Sequence, residues 1–152
     1  MNPFKHKPEN KNKFKLKFKL DLKSSRNFFL CGICGWVMEC LWTGLHSIFS
    51  GKDSKLTCQT SIWMFPIYGL ASFIGPISRK LTGLSRHYRG ILYTILIFIV
   101  EFFSGKILRK IHACPWDYSK AHFNLKGLIR FDYAPLWYIV GLFYEKILNK
   151  SN

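Results

Sequence analysis

The chain has 152 residues, 49% hydrophobic and 17% aromatic, with 23 Lys and Arg against 8 Asp and Glu for a net charge of +15. That apolar and aromatic mass excludes a disordered chain. The apolar residues stand in long blocks nearly free of Lys and Arg, which fits an ordinary soluble domain poorly and makes the bilayer the expected solvent.

The first 26 residues hold nine Lys and Arg against Glu9 and Asp21, a formal +7. Near an anionic leaflet each such residue gains about 1 kcal/mol, so anionic lipid headgroups are the partner expected for this Lys-rich tail. Basic runs also bind phosphate backbones, but a basic tail abutting a hydrophobic span is more simply a topogenic anchor, and no nucleic-acid partner is expected. Within the tail Phe14, Leu16, Phe18, Leu20 and Leu22 alternate with Lys13, Lys15, Lys17, Lys19, Asp21 and Lys23, the period of a strand. A lone strand has nothing to pair with. Residues 1–26 are therefore expected as an extended or disordered cytoplasmic tail, and residues 27–150 as the membrane domain.

Asn27 to Phe49 is an apolar run of roughly 33 Å as a helix, enough for a hydrocarbon core of about 30 Å. A cleaved signal peptide is disfavoured, because the basic region is too long and no A-x-A site follows. Ser61 to Ile77 is a second span, kinked because Pro66 and Pro76 each remove a backbone donor. Arg79, Lys80, Arg86, His87 and Arg89 form a basic loop. Gly90 to Phe103, extending through Leu108, makes the third span, and Pro135 to Leu148 the fourth. The expected fold is an all-α integral membrane bundle of about four transmembrane helices, with a polar interfacial or re-entrant segment between helices 3 and 4. Four spans put fifteen basic residues on the side of the tail against eight on the other. The positive-inside rule then places both termini in the cytoplasm of a multipass protein, in the inner membrane if the cell is bacterial.

Cys31, Cys34, Cys40, Cys58 and Cys114 are odd in number and give no disulfide framework. Cys31 and Cys34 form a C-x-x-C without a second pair at zinc-finger spacing, and read as small packed residues. No phosphate loop, dinucleotide turn or serine elbow occurs, so no cofactor is expected and ATP use would need another chain.

Three of the eight acids lie within or at the edge of spans: Glu39, Glu101 and Glu145. A charge at the bilayer centre costs about 2.5 to 3.5 kcal/mol on insertion scales, so such groups face the interior and find partners. Glu145, beside Lys146, reads as structural. Glu39 shares a helical stripe with Trp42 and His46, which places all three toward one interior. The third loop carries His112, Cys114-Pro115-Trp116-Asp117-Tyr118-Ser119, His122, Asn124 and Gly127. It reads as an aromatic belt with Asp117 capping a turn, or as a lid that brings Asp117 and His112 toward Glu101. Glu39, His46, Glu101, His112 and Asp117 could in sum ligate a divalent cation, but no metal-binding spacing is present and no metal is expected.

Gly35-Trp36 with Glu39, Pro66-Ile67-Tyr68-Gly69, Glu101 with Ser104-Gly105 and Leu108, the run Trp116-Asp117-Tyr118-Ser119, Asn124, Gly127 and Trp137 form one pattern over roughly residues 28 to 148. This pattern resembles the ABC-transporter type IV, or CmpB-like, permease family of small multipass membrane proteins, which includes vertebrate transmembrane protein 229. The basic tail, Leu70-Ala71 and Phe102 depart from it. The resemblance implies about four helices and a separate ATPase subunit, with several copies building a pathway.

The sequence thus points to a transporter-type, permease-like subunit that binds or passes a small solute or lipid through a polar interior. Glu39, Glu101 and Asp117 are the candidate polar contacts, with Tyr68, Trp116, Tyr118, Ser119 and Asn124 around them. The alternative is a membrane-embedded enzyme of lipid homeostasis acting on a lipid headgroup, with Glu101 or Asp117 as general base and His112 as proton carrier. A non-catalytic scaffold is the third reading.

Overall fold

A computed structural model of the chain describes residues 9–51 and 55–150. Helix α1 runs unbroken from Glu9 to Phe49, 41 residues, or about 60 Å. Its C-terminal half is the expected first span. Residues 9–26, expected extended or disordered, are helical instead: a lone strand would leave its N–H and C=O groups unpaired, whereas a helix that has already nucleated in the span adds one hydrogen bond for each further residue. Residues 1–8 of the tail lie outside the described residues.

The second arm is broken as the prolines require. Helix α2 (Met64–Gly69) passes through a 3₁₀ turn (Leu70–Phe73) into α3 (Ile74–Lys80). Backbone N–H groups at the end of that turn still reach the Ala71 and Ser72 carbonyls, which limits the loss caused by Pro76. Helix α4 (Arg86–Lys110) has 25 residues and α5 (Ala134–Lys150) has 17. Between them lies a two-stranded hairpin, β1 (Asn124–Leu125) and β2 (Ile129–Arg130), antiparallel with Asn124 opposite Arg130.

The second arm returns antiparallel along α1. The Trp36 indole donates to the Ser61 carbonyl at 3.1 Å, Tyr68 lies on the Cβ-less face of Gly35, and Phe28 lies on Gly69. Helices α4 and α5 form a second antiparallel hairpin, with Tyr138 against Gly90 and Tyr93 against Gly141. Helix α5 then closes the bundle. The Tyr144 hydroxyl donates to the Cys31 carbonyl at 3.2 Å, and Leu148 packs against Gly75. Cys31, Ile74, Tyr93, Tyr144 and Leu148 make the buried apolar core.

The outside is more aliphatic than the inside. Ile91, Ile95, Ile99, Phe103, Ile107 and Ile111 form an exposed stripe on α4 at a spacing of four, and Phe29, Ile33, Val37, Leu41, Leu45 and Phe49 form another on α1. Each stripe covers twenty residues of rise, roughly 30 Å, the thickness of a hydrocarbon core. Two segments, Leu22–Phe49 and Arg86–Lys110, are long and apolar enough to cross a membrane. The broken second arm and the 17-residue α5 are shorter than those two.

Candidate functional site

Glu101 sits past the middle of α4 and is only 9% exposed. The period of α4 explains its position: residues 91, 95, 99, 103 and 107 face outward, which turns Glu101, Gly105 and Leu108 to the interior. Its polar neighbours are the Tyr118 hydroxyl from the third loop and the Trp137 indole from the first turns of α5. Neither is basic. Oε2 of Glu101 and Nε1 of Trp137 are both buried without a partner at full hydrogen-bond geometry. The interior thus holds a carboxyl without a countercharge among the described residues that face it, and such a group is costly unless something neutralises it.

The loop that delivers Tyr118 is held to the end of α4 by Arg109. One guanidinium nitrogen donates to the Lys126 carbonyl at 2.6 Å, and the other to the Gly127 carbonyl at 3.0 Å and to Asp117 Oδ1 at 2.9 Å. Gly127 has φ +66°, and a side chain there would strike Ser119, Asp117 and Arg109, so this turn needs glycine. Next to it Tyr118 N donates to the Gly127 carbonyl at 2.9 Å. The Trp116 indole lies over Gly105 and donates to the Leu128 carbonyl at 3.1 Å. Two anchors, one charged and one aromatic, fix the segment on either side of Tyr118.

Tyr118 continues into an aromatic row. Its ring centroid is 5.9 Å from that of Tyr133, which is 6.4 Å from Trp137, and the Arg130 guanidinium covers the Tyr133 ring at 4.5 Å. Burial, and then the nearby Glu101, push the Tyr118 phenol above its ordinary range. On its other side Tyr118 lines an open groove of about 600 Å³ with Asp117, Lys120, His122, Phe123 and Arg130. Tyr118 thus borders both this groove and Glu101. Tyr68, from α2, lies within electrostatic reach of both Glu101 and Glu39.

The other residues singled out by sequence sit differently. Glu39 is half-buried and accepts a 2.6 Å hydrogen bond from the Thr60 hydroxyl. Trp42 and His46, expected to share its interior, are exposed: at their level of α1 the covering segment lies over Thr43 and Gly44, and residues 42 and 46 are turned away from that side. Asp117 and His112 do not turn toward Glu101. Asp117 is exposed, its carboxyl lowered from the ordinary value by the Ser119 hydroxyl and backbone N–H and then by Arg109. His112 is exposed where the chain leaves α4 with φ +54°. Ser119 caps Asp117. Asn124 closes the hairpin, donating to the Ala121 carbonyl at 2.6 Å and accepting from Gly127 N at 2.9 Å. Arg109 and Tyr133 were not anticipated as parts of the site, nor was Trp137 as a neighbour of Glu101. The spacing of four between Tyr133 and Trp137, one helical turn, was the available signal for the last two.

Glu145 completes the inventory of interior acids. Its Oε1 lies 2.9 Å from Arg89 Nε, with the Tyr93 hydroxyl beside both; Nε and that hydroxyl lack full hydrogen-bond geometry here too, so what sets Glu145 apart from Glu101 is the neighbouring positive charge.

A mostly helical chain with two membrane-length helices, aliphatic stripes outside and an uncompensated carboxyl inside is a membrane protein with a polar interior. It belongs to the family described as Putative ABC-transporter type IV, whose model matches residues 26–151. The family expected from the sequence pattern is therefore the family found. No solved structure matches the chain.

Proposed function

We propose that the chain is a four-span subunit of ABC-transporter type that binds a small solute or lipid through the interior polar site around Glu101. The observation that carries this reading is the contrast in countercharge: Glu145 is ion-paired, whereas Glu101 is equally interior and faces only phenol and indole donors. A carboxylate kept for stability alone is most cheaply paired or replaced. One left unneutralised suits a ligand or a proton. Tyr68, Tyr118 and Trp137 are the groups that would shape the cavity, and Glu39 the second carboxylate, reached through Tyr68. Asp117, Ser119, Asn124 and Trp116 act by holding Tyr118 in place.

In this reading the second arm and α5 cross the membrane as well, and both termini are cytoplasmic, as the excess of Lys and Arg in the tail favours. Glu39, Glu101 and the third loop then lie toward the outer face, and the groove beside Tyr118 is the mouth of the site. The tail meets anionic lipid headgroups, ATP is used by a separate subunit, and more than one copy builds the pathway. The enzyme reading loses ground because neither Asp117 nor His112 stands beside Glu101 to serve as its acid–base partner.

The test is accumulation and thermal stability of detergent-solubilised Glu39→Gln, Glu101→Gln and Asp117→Asn, with the lipid composition of the host membrane recorded in parallel. A Glu101→Gln protein that folds like the parent while the lipid or solute phenotype disappears supports the site. Failure of that variant to accumulate returns Glu101 to a structural role.

A further inference from the structure

The segment before the second arm lies along the C-terminal half of α1 in a fixed register. Leu56 packs on Gly44. The Thr43 hydroxyl accepts from Gln59 N at 3.1 Å, and its single proton is shared between the Glu39 carbonyl one turn back at 2.9 Å and the Gln59 carbonyl at 3.1 Å. The Thr60 hydroxyl donates to Glu39 at 2.6 Å, and the Ser61 carbonyl accepts from Trp36. This register leaves Cys58 over the 40–44 stretch of α1, with Gln59 on Thr43 and Thr60 on Glu39, and so beside Cys40, whose thiol it influences. Both cysteines are free, Cys58 exposed and Cys40 half-buried. Cys31, Cys34 and Cys114 have no such cross-chain partner among the described residues.

From this register we infer that Cys40 and Cys58 are a disulfide-forming pair, oxidised by exchange with a protein disulfide or an oxidised low-molecular-weight disulfide. A disulfide needs two side chains that already meet, and here the backbone register supplies that meeting. The more accessible Cys58 thiolate attacks one sulfur of the donor, forming a mixed disulfide and releasing the donor's first thiol. Cys40, as thiolate, then attacks the Cys58 sulfur and releases the second. One S–S bond is made and one broken, the two protons leave with the donor thiols, and the two electrons pass to the donor. The product ties Cys58 to α1 and keeps the Thr60 hydroxyl on Glu39. The bond belongs to an oxidising compartment, which agrees with the outward placement of this end of α1; only that last point rests on the proposed topology.

Oxidised glutathione added to the purified full-length protein in detergent tests the pair, with peptide mass spectrometry after alkylation of the remaining free thiols. The expected product is an intramolecular Cys40–Cys58 cross-linked peptide, formed ahead of any other cysteine pair and lost in Cys58→Ser. Should that variant fail to accumulate, the wild-type cross-link map decides alone. Recovery of Cys58 as a stable glutathione adduct with Cys40 alkylated, or a cross-link to Cys31, Cys34 or Cys114, overturns the inference. Labelling of reduced whole cells with a membrane-impermeant maleimide reads the topology separately. Protection of Cys58 there, with the cross-link still formed in detergent, overturns the outward orientation and leaves the pair standing.

Discussion

Glu101 and Glu145 are both borne by the α4–α5 hairpin and are buried to the same degree, 9% and 8% exposed, yet the two ends of the hairpin treat them oppositely. At one end Arg89, anchored by a 2.6 Å hydrogen bond to the Leu84 carbonyl, meets Glu145 at 2.9 Å. At the other, Arg109 near the end of α4 is committed to Asp117 and two carbonyls, and Glu101 is left with Tyr118 and Trp137. Burial alone therefore does not separate a structural acid from a functional one. The countercharge does.

The largest expected effect comes from breaking the paired end. Glu145→Gln leaves Arg89 charged and mostly shielded from water, and removing one member of a buried ion pair costs about 3 to 5 kcal/mol. Poor accumulation and a melting temperature lowered by many degrees are expected. Replacing both Arg89 and Glu145 by Leu should recover much of the loss, since two apolar groups leave no orphaned charge. A double variant as unstable as Glu145→Gln would show that the pair does more than cancel charge.

Glu101→Gln is expected to behave differently on the same assay. The amide keeps the shape and leaves no opposite charge behind, so the stability change should stay within about 1 kcal/mol. A loss as large as that of Glu145→Gln would erase the distinction between the two ends. Between these extremes stands Gly35→Ala. A Cβ at Gly35 would lie 2.5 Å from Tyr68 Cβ and 2.7 Å from the Tyr144 hydroxyl, so Tyr68 must move or the arms separate. Overpacking of that kind costs about 1 to 3 kcal/mol, measurable as a lowered melting temperature.

The same contrast shows what could be read in the sequence. The course of α4 from Gly90 through Leu108, the proline-broken second arm and the interior position of Glu101 follow from apolar periodicity and from proline chemistry, which are local, whereas Arg86 to Arg89, expected in a loop, form the first turn of α4. The helical course of residues 9–26 was missed because strict alternation suggested a strand, while a helix already nucleated downstream decided the backbone. Placing Trp42 and His46 inward failed for a related reason: a stripe of residues fixes which side chains share a face, and only the packing partner fixes which face is covered. The substitution of Tyr118 for Asp117 beside Glu101 depended on a hairpin too short to leave a periodic signal. There the single strong cue was Gly127, whose positive φ sets the turn.

The smallest expected effect concerns the clamp that makes this substitution possible. Asp117 titrates below its ordinary 3.8 because Ser119 and Arg109 favour the carboxylate. A lowered carboxyl pKa stabilises the folded loop above the ordinary value, and the contribution is lost as pH falls through the depressed one. Protection of the Ser119 and Gly127 amides from hydrogen exchange should therefore hold steady from pH 6 to about 4 and weaken only below that. Asp117 is exposed, so solvent screening keeps the change small and confined to the loop. Asp117→Asn removes this pH dependence while Glu101 stays buried, and a Tyr118 ring that keeps its place in that variant would assign the loop's anchoring to Arg109 and Trp116 rather than to the carboxylate.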